Sequence, residues 1–174
     1  MAPPESRAMD ASAPADRAAY EAAVEAEGGR LFAIAFAILR DPGEAEDAVQ
    51  ETVTAAWRGW AQRQEPAKTR AWLTTICVRH ARRRRGRLLR WPLGEASRAQ
   101  LADSERYRES GGRDLDLHRA FGRLSRQQRA VVALHYAHGY SVAECAALMG
   151  CSAGAAGSHL SRALARLRKE LSDD

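Results

Sequence analysis

The sequence lacks the features that define several common protein classes. Its three cysteines, Cys77, Cys145 and Cys151, are odd in number and form no CxxC pair, so no disulfide framework is expected and a reducing compartment is the default. No apolar run reaches the length of a membrane span, and residues 31–39 follow no basic segment of the kind that begins a signal peptide. We therefore expect a cytoplasmic protein that does not insert into membranes.

Patterns typical of catalysis and metal binding are also missing. There is no Gly-rich phosphate loop, and the five histidines form no pattern with Ser or Cys for nucleophilic catalysis. The carboxylates of residues 44–51 do not repeat on two facing helices, as a metal site in a helical bundle requires. Cys145, Cys151 and His159 match no common zinc spacing and lack a fourth ligand. The sequence predicts a protein that is not an enzyme and needs neither cofactor nor metal.

Basic charge and helical periodicity are what the sequence does contain. Lys and Arg number 27 against 22 Asp and Glu, and the resulting charge of +5 suits either a polyanionic partner or solubility alone. No strand-like alternation persists, which predicts an all-α fold. Residues 1–18 are rich in Ala and Pro and are expected to form a disordered tail.

The positions of helix-capping and helix-breaking residues predict two small helical domains. Helical sequence runs from Tyr20 to Leu39, with a candidate break at Gly28-Gly29, and Asp41-Pro42-Gly43-Glu44 predicts the start of a second helix. Residues 90–113 contain Trp-Pro, Gly and Ser and read as a flexible linker. The predicted domains are residues 19–89 and 114–174, and the tryptophans expected in the first core are Trp57, Trp60 and Trp72.

The second domain carries the pattern of a helix-turn-helix. Ser125 and Ser141 each stand three residues before Gln or Glu, which predicts two capping boxes. Gly150-Cys151-Ser152 then interrupts the helical pattern, and Ser152 can cap a new helix. That last helix combines a leucine-rich face with basic side chains elsewhere, the arrangement of a recognition helix that enters the major groove.

Three motifs in order resemble bacterial sigma factors. D-A-V-Q-E-T-V at residues 47–53, followed by Ala56-Trp57, resembles the acidic helix of sigma factors, and T-R-A-W-L-T-T-I at residues 69–76 resembles the next helix. L-S-R-Q-Q-R-A-V-V at residues 124–132, with the Gly150 turn and residues 158–168, resembles the C-terminal sigma domain. The order and spacing are similar to the two-domain extracytoplasmic-function (ECF) class of sigma factors.

The resemblance implies a transcription initiation factor that binds core RNA polymerase and promoter DNA and is controlled by an anti-sigma protein. We expect the free chain to be a monomer, because no half-site symmetry is being read. It implies contacts of the first domain with the clamp helices of the polymerase and the minus-ten element, and of the second with the flap and the minus-thirty-five element. By this resemblance, the residues expected to bind the clamp are Asp47, Gln50 and Glu51. Those expected to bind the minus-ten element are Arg70, Arg79, Arg82 and Arg83. Those expected to bind the minus-thirty-five element are Ser158, His159, Ser161 and Arg162.

Two departures from the family pattern change these expectations. Relatives carry Asn near Arg79 and Asp near Arg83, so base reading there is altered while phosphate affinity rises. Residues 154–157 read G-A-A-G where relatives carry G-T-V-K or G-T-V-R, and small side chains offer few hydrogen bonds to base edges. We therefore expect weak minus-thirty-five readout.

Two alternatives remain open from the sequence alone. Residues 90–113 suit either a segment that threads toward the polymerase cleft or a plain tether. The competing function is a helix-turn-helix regulator that binds operator DNA without polymerase and dimerises through its N-terminal helices. The acidic segment from Asp47 to Trp57 discriminates the two functions, because a dimerisation helix does not need an exposed Asp-Gln-Glu face.

Overall fold

The computed structural model of the chain describes residues 14–63, 65–83 and 112–172, and the regular structure in these ranges is helical throughout. The all-α prediction is thereby confirmed. The α-helices are α1 (Pro14–Leu39), α2 (Pro42–Gly59), α3 (Thr69–Arg83), α4 (Gly112–Gly122), α5 (Arg126–Val132), α6 (Val142–Met149) and α7 (Ala153–Ser172). Trp60–Gln62 and Pro66–Lys68 form 3₁₀ turns, and Ala133–Ala137 extends α5 as a π-helical turn. None of these helices combines the length and apolarity that crossing a membrane would require.

Helix α1 begins earlier and runs longer than the sequence predicts. It starts at Pro14, so residues 14–18 of the expected tail are helical, and residues 1–13 lie outside the described part. Proline is favoured at a first helical position, and an ion pair of Arg17 Nε with Glu21 Oε1 at 2.9 Å supports this turn. The helix also continues through Gly28-Gly29, because Leu31 and Ile34 in the following turn are fully buried, and this packing outweighs the low helix propensity of glycine.

Helices α2 and α3 pack on α1 to form the first unit, defined here as residues 14–83. Asp41 caps α2 as predicted, accepting a hydrogen bond from the backbone amide of Glu44 at 2.8 Å. Trp60 is 3% exposed and lies in the core, but Trp57 is 42% exposed, so its predicted core position is wrong. Tyr20 fills the space beside it, with its hydroxyl donating to the carbonyl of Val53 at 2.8 Å and its ring standing edge-on to Trp57.

Helices α4 to α7 form the second unit, defined here as residues 112–172. Its capping boxes at Ser125 and Ser141 are both present, and hydrogen bonds from Ser141 hold the pKa of Glu144 below its usual range. Gly150 ends α6 in the left-handed conformation at φ +62°, and Ser152 Oγ accepts from the backbone amide of Ala155 at the start of α7. The predicted helix-turn-helix is therefore formed by α6, the Gly150 turn and α7.

The two units share one apolar core. Helix α5 packs against α1, and α6 packs against α3. Buried residues from both units form one cluster, which includes Leu31, Ile34, Ile38, Cys77 and Val78 of the first unit and Val131, Leu134, Cys145 and Met149 of the second. The predicted linker, residues 90–113, lies outside the described residues except for its last two, which begin α4.

Candidate nucleic-acid and polymerase interfaces

The acidic surface of α2 brings together the three residues that the sequence assigns to the polymerase. Asp47, Gln50 and Glu51 stand at i, i+3 and i+4 and therefore share one helical face. Gln50 and Glu51 are exposed and Asp47 is partly so. The carboxylate of Glu51 also contacts α3, since its Oε2 atom lies 3.0 Å from Nδ1 of His80. The sequence did not predict this link, because it joins positions on different helices.

A cavity of about 550 Å³ lies between the end of α2 and the start of α3. Trp72, which the sequence places in the core, is partly buried and lines this cavity. Nε of Arg63, a residue that lines the cavity, is buried without a hydrogen-bond partner. The cavity is lined by Gly59, Gln62, Arg63, Glu65, Lys68, Ala71, Trp72 and Thr75, and Nζ of Lys68 lies 2.7 Å from Oε2 of Glu65. An aromatic wall beside basic side chains is the combination that stacks and holds unpaired bases.

Three of the four predicted minus-ten arginines continue from this cavity along one stripe of α3. Thr75, Arg79, Arg82 and Arg83 stand at i, i+4, i+7 and i+8, so helical geometry puts them on the same side. Arg79 and Arg83 are exposed, whereas Arg82 is partly buried. The signal that could have extended the predicted set is the spacing of Thr75, one turn before Arg79.

Arg70 does not lie with the other three arginines. It precedes Arg79 by nine residues, about two and a half turns, and therefore points to the opposite side of α3. Its Nε atom lies 3.1 Å from Oε1 of Glu27 on α1. Glu27 also pairs with Arg30, whose guanidinium donates to Thr74 Oγ1 at 2.7 Å. Arg70 is thus part of an ion-pair network between α1 and α3.

The residues predicted to bind the minus-thirty-five element lie on the outer face of α7. Ser158, Ser161 and Arg162 are exposed and His159 is partly exposed. On the opposite side Leu160 and Ala163 are buried, which fixes the rotation of the helix. Arg166 and Lys169 are exposed as well and continue the line from Ser158 and Arg162 at i+8 and i+11. The basic surface of α7 is therefore longer than the four residues assigned to it.

The cysteines are suited to packing. Burial raises the pKa of Cys77 to about 12, and burial with the nearby Glu144 carboxylate raises that of Cys145 to about 11. Such thiols remain protonated and are poor nucleophiles and metal ligands. Within the described ranges no group of three His, Cys, Asp or Glu side chains is placed to hold a metal ion.

Comparison with known families matches both units. The family described as Sigma-70 region 2 matches residues 23–90, and the family described as Sigma-70, region 4 matches residues 114–167. A probable RNA polymerase sigma factor, RfaY of Xanthomonas campestris pv. campestris, is 32% identical over 161 residues; the match covers 88% of this chain but only 40% of that protein.

Two further relatives match over most of their own length. The ECF RNA polymerase sigma factor SigM of Mycobacterium tuberculosis is 29% identical over 157 residues, covering 90% of this chain and 79% of the relative. An RNA polymerase sigma-E factor of Streptomyces antibioticus is 30% identical over 136 residues, covering 77% of this chain and 74% of the relative.

A solved structure aligns across both units. The sigma factor RpoE of Bartonella quintana, in complex with the anti-sigma factor NepR, superposes with a TM-score of 0.61 and 26% identity, covering 89% of this chain and 98% of that one. The chain therefore belongs to the ECF class of RNA polymerase sigma factors, the sigma-70 family whose regions 2 and 4 it carries. Promoter-directed transcription initiation is its function, and an operator-binding regulator is not favoured.

Proposed function

We propose that this sigma factor binds core polymerase through the acidic face of α2 and opens promoter DNA along the cavity and stripe of α3. The supporting observation is the alignment of the cavity with Arg79 and Arg83, since Thr75 lines the cavity and shares one side of α3 with these two cations. An unstacked base costs a few kcal/mol, which stacking and phosphate contacts can offset without nucleotide hydrolysis.

The polymerase contact rests on charge and exposure. Asp47, Gln50 and Glu51 offer two carboxylates and an amide on one face, which suits charge-assisted hydrogen bonds to arginines of the clamp helices. The second unit would contact the flap and the minus-thirty-five element through the outer face of α7. In this assignment Arg70 orients α1 against α3, and the DNA contacts are made by the stripe.

An anti-sigma partner and a cytoplasmic location are part of the proposal. The structural relative RpoE is held by the anti-sigma factor NepR, and its superposition extends over both units of this chain. Control by a protein that covers the polymerase-binding surfaces is therefore the expected form of regulation. Because core polymerase acts on the chromosome, both encounters take place in the cytoplasm.

Transcription by purified core polymerase on fragmented genomic DNA tests the proposal. Discrete new transcript starts are expected when the chain is added, and they should be lost with Gln50→Ala/Glu51→Ala because the clamp contact is removed. Arg79→Ala/Arg83→Ala should retain polymerase binding in a comigration assay but reduce open-complex formation. Glu25→Ala, which removes an exposed carboxylate from α1 and leaves the acidic face of α2 intact, is the control.

A chain that comigrates with core polymerase equally well with and without the Gln50 and Glu51 side chains would refute the assignment of the acidic face. Unchanged start-site opening by Arg79→Ala/Arg83→Ala would refute the assignment of the stripe.

A further inference from the structure

The turn that ends α6 folds back over the helix and carries a cysteine toward another cysteine. The amide of Gly150 donates to the carbonyl of Ala147 at 3.1 Å. The amide of Cys151 donates to the carbonyl of Ala146 at 3.0 Å. These two bonds define a Schellman motif, in which the residue after the left-handed glycine commonly packs on the last turns of the helix. Here that residue is Cys151, and the residue it can reach just before Ala146 is Cys145.

Packing and charge both indicate that the two thiols are neighbours. Cys145 is fully buried in the apolar cluster that the units share, and Cys151 is partly buried and packs against the same cluster. Burial and the Glu144 carboxylate raise the pKa of Cys145, and the charge of the Cys151 thiolate raises it further. One charge shifts the pKa of another group in this way at short range, so the two sulfur atoms lie close together.

Cys151 differs from Cys145 and Cys77 in its access to solvent and in its surroundings. It is partly exposed, whereas the other two are fully buried. Arg82 of α3 donates to the carbonyl of Met149, two residues before Cys151. Burial lowers the pKa of Arg82, and the charge of the Cys151 thiolate opposes this shift. A guanidinium beside an accessible thiol favours the thiolate, which is the form that peroxides oxidise.

We propose that Cys151 is a site of oxidation by hydrogen peroxide, and that Cys145 converts the oxidised residue into a disulfide across the turn of the helix-turn-helix. The Cys151 thiolate attacks one oxygen of the peroxide, the O–O bond breaks, and a sulfenic acid and hydroxide form. The hydroxide takes up the proton that the thiol released. The sulfur of Cys145 then attacks the oxidised sulfur, the S–O bond breaks, and the hydroxyl group leaves with the thiol proton as water. The two thiols lose two electrons, and one peroxide becomes two waters.

Burial determines the order of these two steps. The pKa of Cys145 is about 11, so this residue remains a thiol and does not react with free peroxide. Its part is to trap a sulfenic acid that the turn holds beside it. A reaction within one chain has a high effective concentration, which offsets the small fraction of thiolate. Disulfides in a reducing compartment are typically transient and redox-sensing, and this one is reversible by added thiols.

The disulfide acts on the start of α7. Ser152, the residue after Cys151, caps this helix, with its Oγ accepting from the amide of Ala155 at 3.2 Å. Sγ of Cys145 donates to the carbonyl of Tyr140 at 3.8 Å and must leave this acceptor to bond with Cys151. Closing the S–S bond therefore shifts the turn against α6, and α7 moves with it. This consequence rests on the proposed contact of α7 with minus-thirty-five DNA and adds a chemical signal that weakens it.

Thiol counting on the full chain tests the chemistry. The reduced chain is treated with a small excess of hydrogen peroxide, unfolded, and its free thiols are counted. The count should fall from the three cysteines of the sequence to one, and the intact mass should decrease by two hydrogens. Blocking the free thiols, reducing, and labelling the released ones should mark Cys145 and Cys151 but not Cys77. Dithiothreitol should restore all three thiols.

Two variants separate the two steps. Cys145→Ala lacks the trapping thiol, so Cys151 should accumulate as a sulfenic acid that dimedone labels. Cys77→Ala is the matched control, since it also removes a fully buried thiol but should still form the disulfide. If Cys145→Ala does not fold, the thiol count of the wild-type chain carries the test.

The effect on DNA is measured with a labelled mixed-sequence duplex by fluorescence anisotropy. The oxidised chain should bind about fivefold more weakly than the reduced chain, the loss expected when one contact of α7 is displaced. Dithiothreitol should restore the affinity. Cys151→Ser should bind equally well before and after peroxide treatment.

Several results would overturn the proposal. One is a chain that keeps its three thiols after peroxide treatment; another is loss of Cys77, or a covalent dimer through Cys151. Cys151 oxidised to a sulfinic acid while Cys145 stays free removes the trapping role. A disulfide that leaves the duplex affinity unchanged removes the control of DNA binding. Transcription by the reduced chain reports sigma activity separately, so failure of this inference and failure of the proposed function give different results.

Discussion

The guanidinium of Arg129 is buried among the ends of three chain segments. It donates to Ile38 O at the end of α1, to Leu124 O before α5 and, at 3.4 Å, to Gly122 O at the end of α4. A cation is favourable at carbonyls that end helices, because they carry partial negative charge. Burial lowers the pKa of Arg129, and the nearby Arg40 and Arg126 lower it further, although a guanidinium remains charged in proteins.

Arg129→Met should lower the free energy of unfolding by about 2–4 kcal/mol. The thioether keeps part of the side-chain volume but leaves buried carbonyls without a donor. Urea denaturation followed by circular dichroism measures the loss. Arg119→Met, at an exposed arginine of α4, is the control and should change stability by less than about 0.5 kcal/mol. A variant at position 129 as stable as wild type would show that water satisfies these carbonyls.

Side chains with nearby partners were predictable from the sequence, and those with distant partners were not. The caps at Asp41, Ser125 and Ser141 follow from side chains and amides within three residues. Arg82 and Arg129 have partners 67 and 91 residues away, and nothing in the local spacing indicates them. The exposure of Ser158, Ser161 and Arg162 on α7 was predictable, because the spacing of the leucines indicates which face of the helix is buried.

The inner face of helix α7 is buried, but its first turn and a half contains two glycines, Gly154 and Gly157. Glycine has a low helix propensity, so these residues lower the stability of this part of the helix. A Cβ added at Gly154 or at Gly157 would meet no atom within 4 Å, and both have ordinary helical backbone. The helix therefore tolerates a larger residue at these positions without rearrangement. The weak minus-thirty-five readout expected from the sequence remains a prediction, and this open space makes it directly testable.

Gly157→Lys should raise affinity for a mixed-sequence DNA duplex and steepen the dependence of log K on log salt by about one unit, the effect of one added phosphate contact. Gly157→Ala is the control, since it should stabilise the helix by about 0.5–1 kcal/mol without adding charge. Fluorescence anisotropy over a salt series gives both slopes. Identical slopes for the two variants would place position 157 away from the DNA.

The helices themselves were predicted better than their limits and exposed faces. The start of α2 was predictable because Asp41 and Pro42 form a recognisable N-cap and first helical position. The start of α1 at Pro14 was not predictable from an Ala- and Pro-rich composition, because it depends on small contributions such as the ion pair of Arg17 with Glu21. Trp57 satisfies the apolar periodicity of α2, yet Tyr20 of another helix occupies the neighbouring core position. Periodicity predicts which residues share a face, and only packing decides which of them is covered.

At the scale of the whole molecule, a titratable group, His138 of the second unit, is influenced by cations of the first unit. His138 lies after the π-helical turn, and burial lowers its pKa below the usual value of 6.5, with Arg30 of α1 and Arg70 of α3 lowering it further. The folded chain therefore holds this imidazole neutral at a pH where the unfolded chain binds a proton.

Acidification should accordingly destabilise the fold through His138. As the pH falls through about 6.5, the unfolded state takes up more protons than the folded state, so the free energy of unfolding decreases until the lowered folded pKa is passed. His138→Gln should flatten this part of the profile because it removes the titrating imidazole. Urea titrations of wild type and His138→Gln at pH steps between about 7.5 and 5 measure the difference. An equal slope in wild type and His138→Gln would contradict the prediction.

The contact between Glu51 and His80 has a consequence for how the two binding surfaces communicate. Glu51 belongs to the face proposed for polymerase, and His80 to the helix proposed for single-stranded DNA, and one hydrogen-bond length separates them. If a bound protein moves the Glu51 carboxylate away from His80, α3 loses this contact, and the free energy of its last turns changes. Thermodynamic reciprocity then requires that a strand which fixes those turns change the affinity for that protein by the same factor.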